Sequence, residues 1–265
     1  MLFSVLGSSG VIGRRLTHHL RQQGHEVYLP SRGDGELFRR PLGHVIYAIG
    51  ITSDFRSRPL DTVEAHVCAL LKILRVSDFE SFQYLSSTRI YSEDVVGREG
   101  SSLKVNPANP SDLYSLSKLL GESVCLTAGR ENVRVSRLSN VVGGDDADSE
   151  NFLPSLLKQA RAGHIVLRTS LNSSKDYVHI DDVVELLSRI SLCGKASIYN
   201  VASGRQLSHL QWIERLVAFT GCSYEVMLGA KKTCFAPVDI SLVREEFGFQ
   251  PRDALNALIL PNNGN

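Results

Sequence analysis

The sequence has no surplus of either charge: 29 lysines and arginines stand against 28 aspartates and glutamates, a formal net charge of +1. A chain so balanced carries no electrostatic footprint for nucleic acid or a membrane surface, and neither is expected as a partner. Its cysteines lack a pattern. Cys68, Cys125, Cys193, Cys222 and Cys234 are odd in number, widely spread and never in C-x-x-C spacing. That suits a reducing compartment rather than a disulfide framework or a zinc site, and no metal is expected. No apolar run reaches the roughly 18 residues of a membrane span. The opening Met1-Leu2-Phe3-Ser4-Val5-Leu6 lacks a basic region and runs straight into glycine, so no signal peptide is expected. Internal repeats, low-complexity tracts and obvious linkers are absent too. The expectation is a cytoplasmic globular protein whose 265 residues build one substantial core, or one large and one small lobe.

What is present begins at the N-terminus. Leu2–Leu6 is a short apolar run read as a buried parallel strand. Gly7-Ser8-Ser9-Gly10-Val11-Ile12-Gly13 follows, then a helix to about Gln23. In a strand, G-x-x-G-x-x-G, helix arrangement the glycines allow a tight turn, and backbone N–H groups at the helix start can face a pyrophosphate. A second strand is read over His25–Leu29. About 19 residues past Gly13, where an NAD site usually carries an acid for the ribose, stands Arg32, with Arg14 and Arg15 near the glycine loop. An arginine there suits a 2′-phosphate, which favours NADP(H). NAD(H), with Asp34 serving the ribose, is the alternative.

Further strands are read over His44–Ala48, Phe82–Ser86, Val133–Ser136, Ile165–Leu167 and Ser197–Val201. Helices are expected over about Leu60–Val76, Pro110–Thr127, Asn151–Ala162, Asp182–Ser191, Ser208–Thr220 and Ile240–Phe247. Only 14 or so residues join Leu29 to His44. They span up to about 46 Å when extended, against roughly 20 Å of required travel, so the connection closes without an extra strand. The predicted sheet order is 2-1-3-4-5-6.

Tyr114 and Lys118 lie four apart on the expected fifth-strand crossover helix and so share a face. A phenol ionises near pH ~10, and a neighbouring ammonium would stabilise its phenolate. Such a pair can protonate an alkoxide, or take the proton back, while hydride moves. Alone, the spacing more often describes a snorkelling pair on a helix face.

Five motifs in order give the chain a resemblance. They are Gly7-x-x-Gly10-x-x-Gly13; Leu85-Ser86-Ser87-Thr88-Arg89-Ile90-Tyr91; Tyr114-x-x-x-Lys118 with Glu122; Arg137-x-x-Asn140-Val141-x-Gly143; and Asp176-Tyr177-Val178-His179-Ile180-Asp181-Asp182. With the tail Phe247-Gly248-Phe249-Gln250-Pro251, the chain resembles the extended short-chain dehydrogenase/reductases, the nucleotide-sugar epimerase/dehydratase family. The resemblance implies an α/β Rossmann fold: a doubly wound parallel sheet, here with a trimmed edge, and a small, discontinuous C-terminal substrate lobe. The dinucleotide-binding domain would comprise residues 1–142 and about 176–203, and the lobe about 143–175 and 204–265.

The same resemblance implies catalytic roles for Ser87, Tyr114 and Lys118. It implies cofactor contacts from Gly7, Ser9, Gly10, Val11, Ile12, Gly13, Ser31, Arg32, Ala48, Ile49, Gly50, Ser86, Tyr114, Lys118 and Leu138. Ser87, Thr88, Asn140 and Lys175 correspond to substrate contacts, and His179 and Asp181 are read as structural. The partner implied is a small-molecule nucleotide sugar, and homodimerisation through the Leu60–Val76 and Ser111–Thr127 helices is expected, with Leu116, Leu119 and Leu120 in excess of one buried face.

Departures from the family pattern sharpen the expectation. A strand and helix with an adenine-touching aspartate are missing between Ser31 and His44. Gly50 ends the segment that usually closes on alanine, His66 replaces a usual asparagine, and Lys175 a frequent arginine. The 4,6-dehydratases carry an Asp-Glu pair after the catalytic threonine, whereas here Arg89 follows Thr88, which speaks against dehydration. The reading is an NADP(H)-dependent ketoreductase acting on a 4-keto nucleotide sugar or similar carbonyl. The alternatives are a 4-epimerase retaining NAD, and a non-catalytic NADP-binding sensor.

Overall fold

The computed structural model describes residues 1–52, 54–91, 96–144 and 151–258. Strand β1 (Leu2–Leu6) leads through the glycine turn into α1 (Val11–Gln22) and then β2 (Glu26–Tyr28) and β3 (His44–Tyr47). One helical stretch follows in three parts: α2 (Pro59–Val63), a π-helical turn (Glu64–Cys68) and α3 (Ala69–Val76). Next come β4 (Ser81–Ser87), α4 (Leu113–Leu126), β5 (Val133–Leu138) and β6 (Asn140–Val142). The remaining elements are α5 (Phe152–Arg161), β7 (His164–Thr169), β8 (Ser174–His179), α6 (Ile180–Cys193), β9 (Ile198–Val201), β10 (Gln206–Ser208), α7 (His209–Thr220), β11 (Ser223–Lys231) and α8 (Ser241–Phe247).

Six strands form a parallel sheet in the order β2-β1-β3-β4-β5-β9, the expected 2-1-3-4-5-6. Its strands are apolar on both faces because helices cover both. Phe3, Val5, Ile46 and Leu85 pack with Leu16, Leu20, Val183 and Leu187 on one side. Val45, Tyr47, Phe82 and Tyr84 pack with Leu70, Ile73 and Cys125 on the other. A separate cluster around Trp212, Leu153, Leu156 and Ile165 lies among α5, β7 and α7. Between Ser31 and His44 the chain makes a single 3-10 turn, Gly35–Phe38, with no strand, so β2 ends the sheet.

Four strands escape the sequence pattern, among them β8, whose Ser-Lys-Asp-Tyr-Val-His run shows no alternation. β6 and β10 flank β8 in a small sheet, and each has only three residues, too few to display a period. β11 pairs with β7, yet its nine residues are exposed almost throughout. With neither face buried, it shows no alternation of apolar and polar residues.

Helix α4 is fastened to β5 by a buried ion pair. The Arg137 guanidinium donates Nη2–H to Glu122 Oε2 at 2.7 Å and Nε–H to both carboxylate oxygens, and its Nη1 donates to the Tyr91 hydroxyl at 3.0 Å. Both side chains are less than 5% exposed. A buried charge must be matched in place, and loss of one partner would strand the other at a cost of about 3–5 kcal/mol.

Of the three buried histidines among the described residues, two are held neutral far below their ordinary range. Burial and the nearby Lys118 ammonium push His66 down to about 3. Burial and Lys175 push His209 down to about 4. The unfolded chain takes up protons on both imidazoles near pH ~6.5, whereas the native state refuses them until far lower. Their contribution to stability is therefore complete above about pH 6.5 and is lost as pH falls towards 4 and 3. The urea midpoint should fall steadily between about pH 7 and about pH 5. A flat midpoint across that interval would refute the assignment of neutral burial.

Candidate active site

The glycines of the first turn answer different demands. Gly7 has φ +89°, and a Cβ there would lie 2.8 Å from the Ala48 carbonyl carbon, so it lets the ends of β1 and β3 meet. A Cβ on Gly13 would lie 2.2 Å from the Gly7 carbonyl oxygen, which the turn could not accommodate. Gly10 is unlike them: its Cβ would make one ordinary contact, at 3.4 Å. The protein itself does not require glycine there. Gly10 caps α1 without a side-chain hydrogen bond, and the first turn holds no acid. This bare helix start, with Ser9 exposed and Val11 and Ile12 half-buried, fits a dinucleotide's phosphates.

The arginines of this end separate. The Arg14 guanidinium turns onto the Ser9 carbonyl, while Arg15 pairs with Asp181 at 2.6 Å and braces the start of α6 instead of the loop. Ser31 and Arg32 are exposed in the turn after β2. Asp34 is engaged: it accepts from the Tyr28 hydroxyl at 2.7 Å and from the Glu36 amide at 2.9 Å. His179 caps α6, its Nδ1 accepting the Asp181 N–H at 3.2 Å, a structural use of both residues.

The C-terminal ends of β3, β4 and β5 gather the remaining groups. Ala48 and Ile49 are half-buried, and Gly50 is exposed. Leu138 is paired in register with Ser87, and its side chain belongs to the core. Ser86 Oγ is buried with no partner among the described residues. Ser87 Oγ accepts the Arg89 N–H at 3.2 Å, and the Ser87 hydroxyl lies near enough to the Tyr114 phenol to favour its ionised form. Burial raises the Tyr114 pKa, while the nearby Ser87 hydroxyl and the Arg89 cation oppose that rise.

Lys118, one turn on from Tyr114, is turned to the strand end. The shared helical face suggests an ammonium beside the phenol, but Nζ donates to the Leu85 carbonyl at 2.8 Å and sits 5.0 Å from the Tyr84 ring centroid. An ammonium this deeply buried must find an acceptor, and the strand end supplies one. Burial lowers its pKa to about 7, against the opposing pull of Glu122. The cation at the tyrosine is Arg89, whose Cζ lies 5.4 Å from the ring centroid.

Phe55 joins this group from the loop before α2. It is buried, with its ring 5.5 Å from that of Tyr114 and 5.0 Å from Arg89 Cζ. No sequence signal marks it, because a lone aromatic in a loop has no period. Thr88 opens the 3-10 turn that carries Arg89. Lys175 lies between the Phe152 and Phe235 rings, lowered in pKa by burial and by Arg89. Asn140 donates its side-chain N–H to the Asp176 carbonyl at 2.8 Å, so in this structure it ties β6 to β8. Ser87, Tyr114, Arg89 and Phe55 thus form one cluster, and the Gly7–Gly13 turn and Arg32 follow the C-terminal ends of β1 and β2 at the same edge of the parallel sheet.

Comparison with known proteins bears on the family and the fold. The model of the NAD dependent epimerase/dehydratase family matches residues 3–202. A dTDP-4-dehydro-6-deoxy-D-allose reductase of Streptomyces sp is 27% identical over 205 residues, covering 73% of this chain and 63% of that protein. The chain thus spans less than two thirds of that relative's length. A GDP-6-deoxy-D-mannose reductase of Pseudomonas aeruginosa is 27% identical over 252 residues, covering 84% of this chain and 81% of that one. Among solved structures, RMD from Pseudomonas aeruginosa complexed with NADPH superposes with a TM-score of 0.77 at 22% identity, over 97% of this chain and 96% of that one.

Proposed function

The chain belongs to the NAD dependent epimerase/dehydratase family, whose members are NAD(P)-dependent enzymes, and we propose that it is an NADP(H)-dependent ketoreductase acting on a 4-keto nucleotide sugar. The observation that carries this reading is the Tyr114 ring with a guanidinium, not a carboxylate, over it at 5.4 Å, near the Ser87 strand end. When bound, NADP(H) supplies the hydride. Tyr114 gives its proton to the oxygen that becomes the alcohol, and Ser87 holds that oxygen by a hydrogen bond. Arg89 stabilises the phenolate left behind, as an opposite charge lowers the cost of ionisation. Expulsion of water from a neighbouring carbon would need an acid or base where Arg89 stands, which supports reduction over dehydration. Lys118, at the foot of the pair, would meet the nicotinamide ribose. The two relatives named as reductases support the same substrate class.

Cofactor choice follows from the turn after β2. Asp34 has its carboxylate engaged by Tyr28 and Glu36, whereas Arg32 stands exposed beyond the strand. A homodimer belongs to the same proposal. Leu60 is 83% exposed, Leu120 51% and Leu71 38%, on the α2–α3 stretch and on α4. Of the three α4 leucines in excess, Leu119 packs against the Ile90 cluster and Leu116 is half-buried, leaving Leu120 for a partner.

Three measurements test the proposal. Tyr114→Phe should abolish turnover of NADPH with 4-keto nucleotide sugars while leaving NADPH affinity within about threefold; a near-native rate would refute the proton role. NADPH should bind more tightly than NADH, and Arg32→Ala should erase most of a gap of roughly 10- to 150-fold; equal affinities in the intact protein would sink the preference. Sedimentation should report a dimer at micromolar concentration that Leu120→Lys dissociates, and an intact protein sedimenting as a monomer would count against it.

A further inference from the structure

His66 sits in the middle of the π-helical turn, fully buried, with its ring edge-on to Tyr114 at 5.5 Å and 85°. Its hydrogen bonds can be directed without ambiguity. Ser117 Oγ donates its only hydrogen to the Tyr114 carbonyl at 2.9 Å, so at its 2.8 Å contact with His66 Nδ1 it must accept. Nδ1 therefore carries the proton and Nε2 the lone pair. Ile51 N–H donates to that lone pair at 3.2 Å. The result is a chain of three bonds running from Ile51, in the turn after β3, through His66 and Ser117 to the backbone of Tyr114.

Two glycines frame the imidazole. A Cβ on Gly50 would lie 3.2 Å from His66 Nε2 and 3.4 Å from Lys118 Nζ, tight enough that the ring or the ammonium would have to move. A Cβ on Gly121 would lie 2.5 Å from the Tyr84 hydroxyl and 2.9 Å from the His66 carbonyl oxygen. That hydroxyl donates to the same carbonyl at 3.2 Å. The π turn thus approaches α4 where α4 has no side chain, and the imidazole fits where position 50 has none. Inserted π turns are often found at functional sites because the extra residue re-aims a side chain.

We propose that His66 is a positioning residue, which locks the turn at residues 48–51 to the Tyr114 helix and so fixes the phenol and Lys118 relative to a bound cofactor, with Gly50 leaving the room it needs. The proposal rests on the reading of Tyr114 as the proton-exchanging group. Only the neutral, Nδ1-protonated imidazole can make both bonds, since protonation would replace the acceptor facing Ile51 with a donor. Burial and Lys118 both hold the ring neutral, in keeping with that role.

The test uses the whole chain. ¹⁵N-histidine NMR should find His66 as the Nδ1–H tautomer from about pH 8 to about pH 5; an Nε2–H or doubly protonated ring would overturn the proposal. His66→Phe keeps a ring without nitrogens. Its Ile51 amide should exchange with solvent about tenfold faster than in the parent. Its kcat with NADPH and a turned-over 4-keto nucleotide sugar should fall about 10- to 100-fold with KM nearly unchanged. Ser117→Ala should give a smaller loss of the same kind, and the double variant should be no worse than His66→Phe alone. His66→Asn, which keeps a donor and an acceptor, should recover part of the loss. Unchanged exchange at Ile51, or additive effects in the double variant, would overturn the brace. If His66→Phe does not fold, Ser117→Ala and Gly50→Ala carry the test, and parent-like exchange and kcat in both would refute it. Retained turnover in Tyr114→Phe would instead remove the reading of Tyr114, while the tautomer and the exchange at Ile51 would still report on the brace.

Discussion

Helix α4 buries a phenol, an ammonium and a carboxylate against the polar ends of two parallel strands, and none of the three can be left to water. Lys118 finds the Leu85 carbonyl and Glu122 the Arg137 guanidinium, while the Tyr114 ring lies under the Arg89 cation near Ser87. Buried polar groups cost several kcal/mol when unpaired, so these contacts fix the helix in rotation and in register along the sheet. The residues available for chemistry are therefore placed by the same contacts that hold the fold.

The surroundings of Tyr114 are electropositive and partly dry. Arg89 reaches over the phenol between it and Phe55, and Arg56 and Lys175 are near enough to disfavour its charge or have their own disfavoured by it. Clustered like charges at a half-buried place are unfavourable in isolation and become favourable when an anion joins them. A nucleotide sugar carries such an anion in its diphosphate. On the proposed function the same field would help the phenolate, so substrate attraction and proton transfer would draw on one arrangement of charge.

Much of this was legible beforehand. The glycine turn, the strand ends at Ser87 and the helix at Tyr114 have local signatures: fixed spacing, a change of hydrophobic period, Gly and Pro at the boundaries. The short connection from Leu29 to His44 excluded a further strand by chain length, and the sheet order followed. β11 was illegible because an exposed strand has no buried face to impose alternation. The π turn was illegible because the apolar positions Val67, Leu70 and Leu74 still recur as in a regular helix on either side of one inserted residue.

By itself the sequence determined which residues could reach the ends of the strands, since backbone period and chain length decide that locally. The strand end offered Ser86, Ser87 and Thr88, from which the family motif selected Ser87, while spacing put Tyr114 and Lys118 on one helix face and Arg32 after the second strand. Only the tertiary structure decided what each side chain faces there. Two residues one turn apart have neighbouring Cβ atoms, but a buried ammonium goes where an acceptor lies, and Lys118 turned to Leu85. Asp34 was taken by Tyr28, Phe55 was brought to the phenol from a loop, and His66 was joined to Ile51 and Ser117. Partners distant along the chain are set by packing and by the need to satisfy buried polar atoms, and neither leaves a period in the sequence.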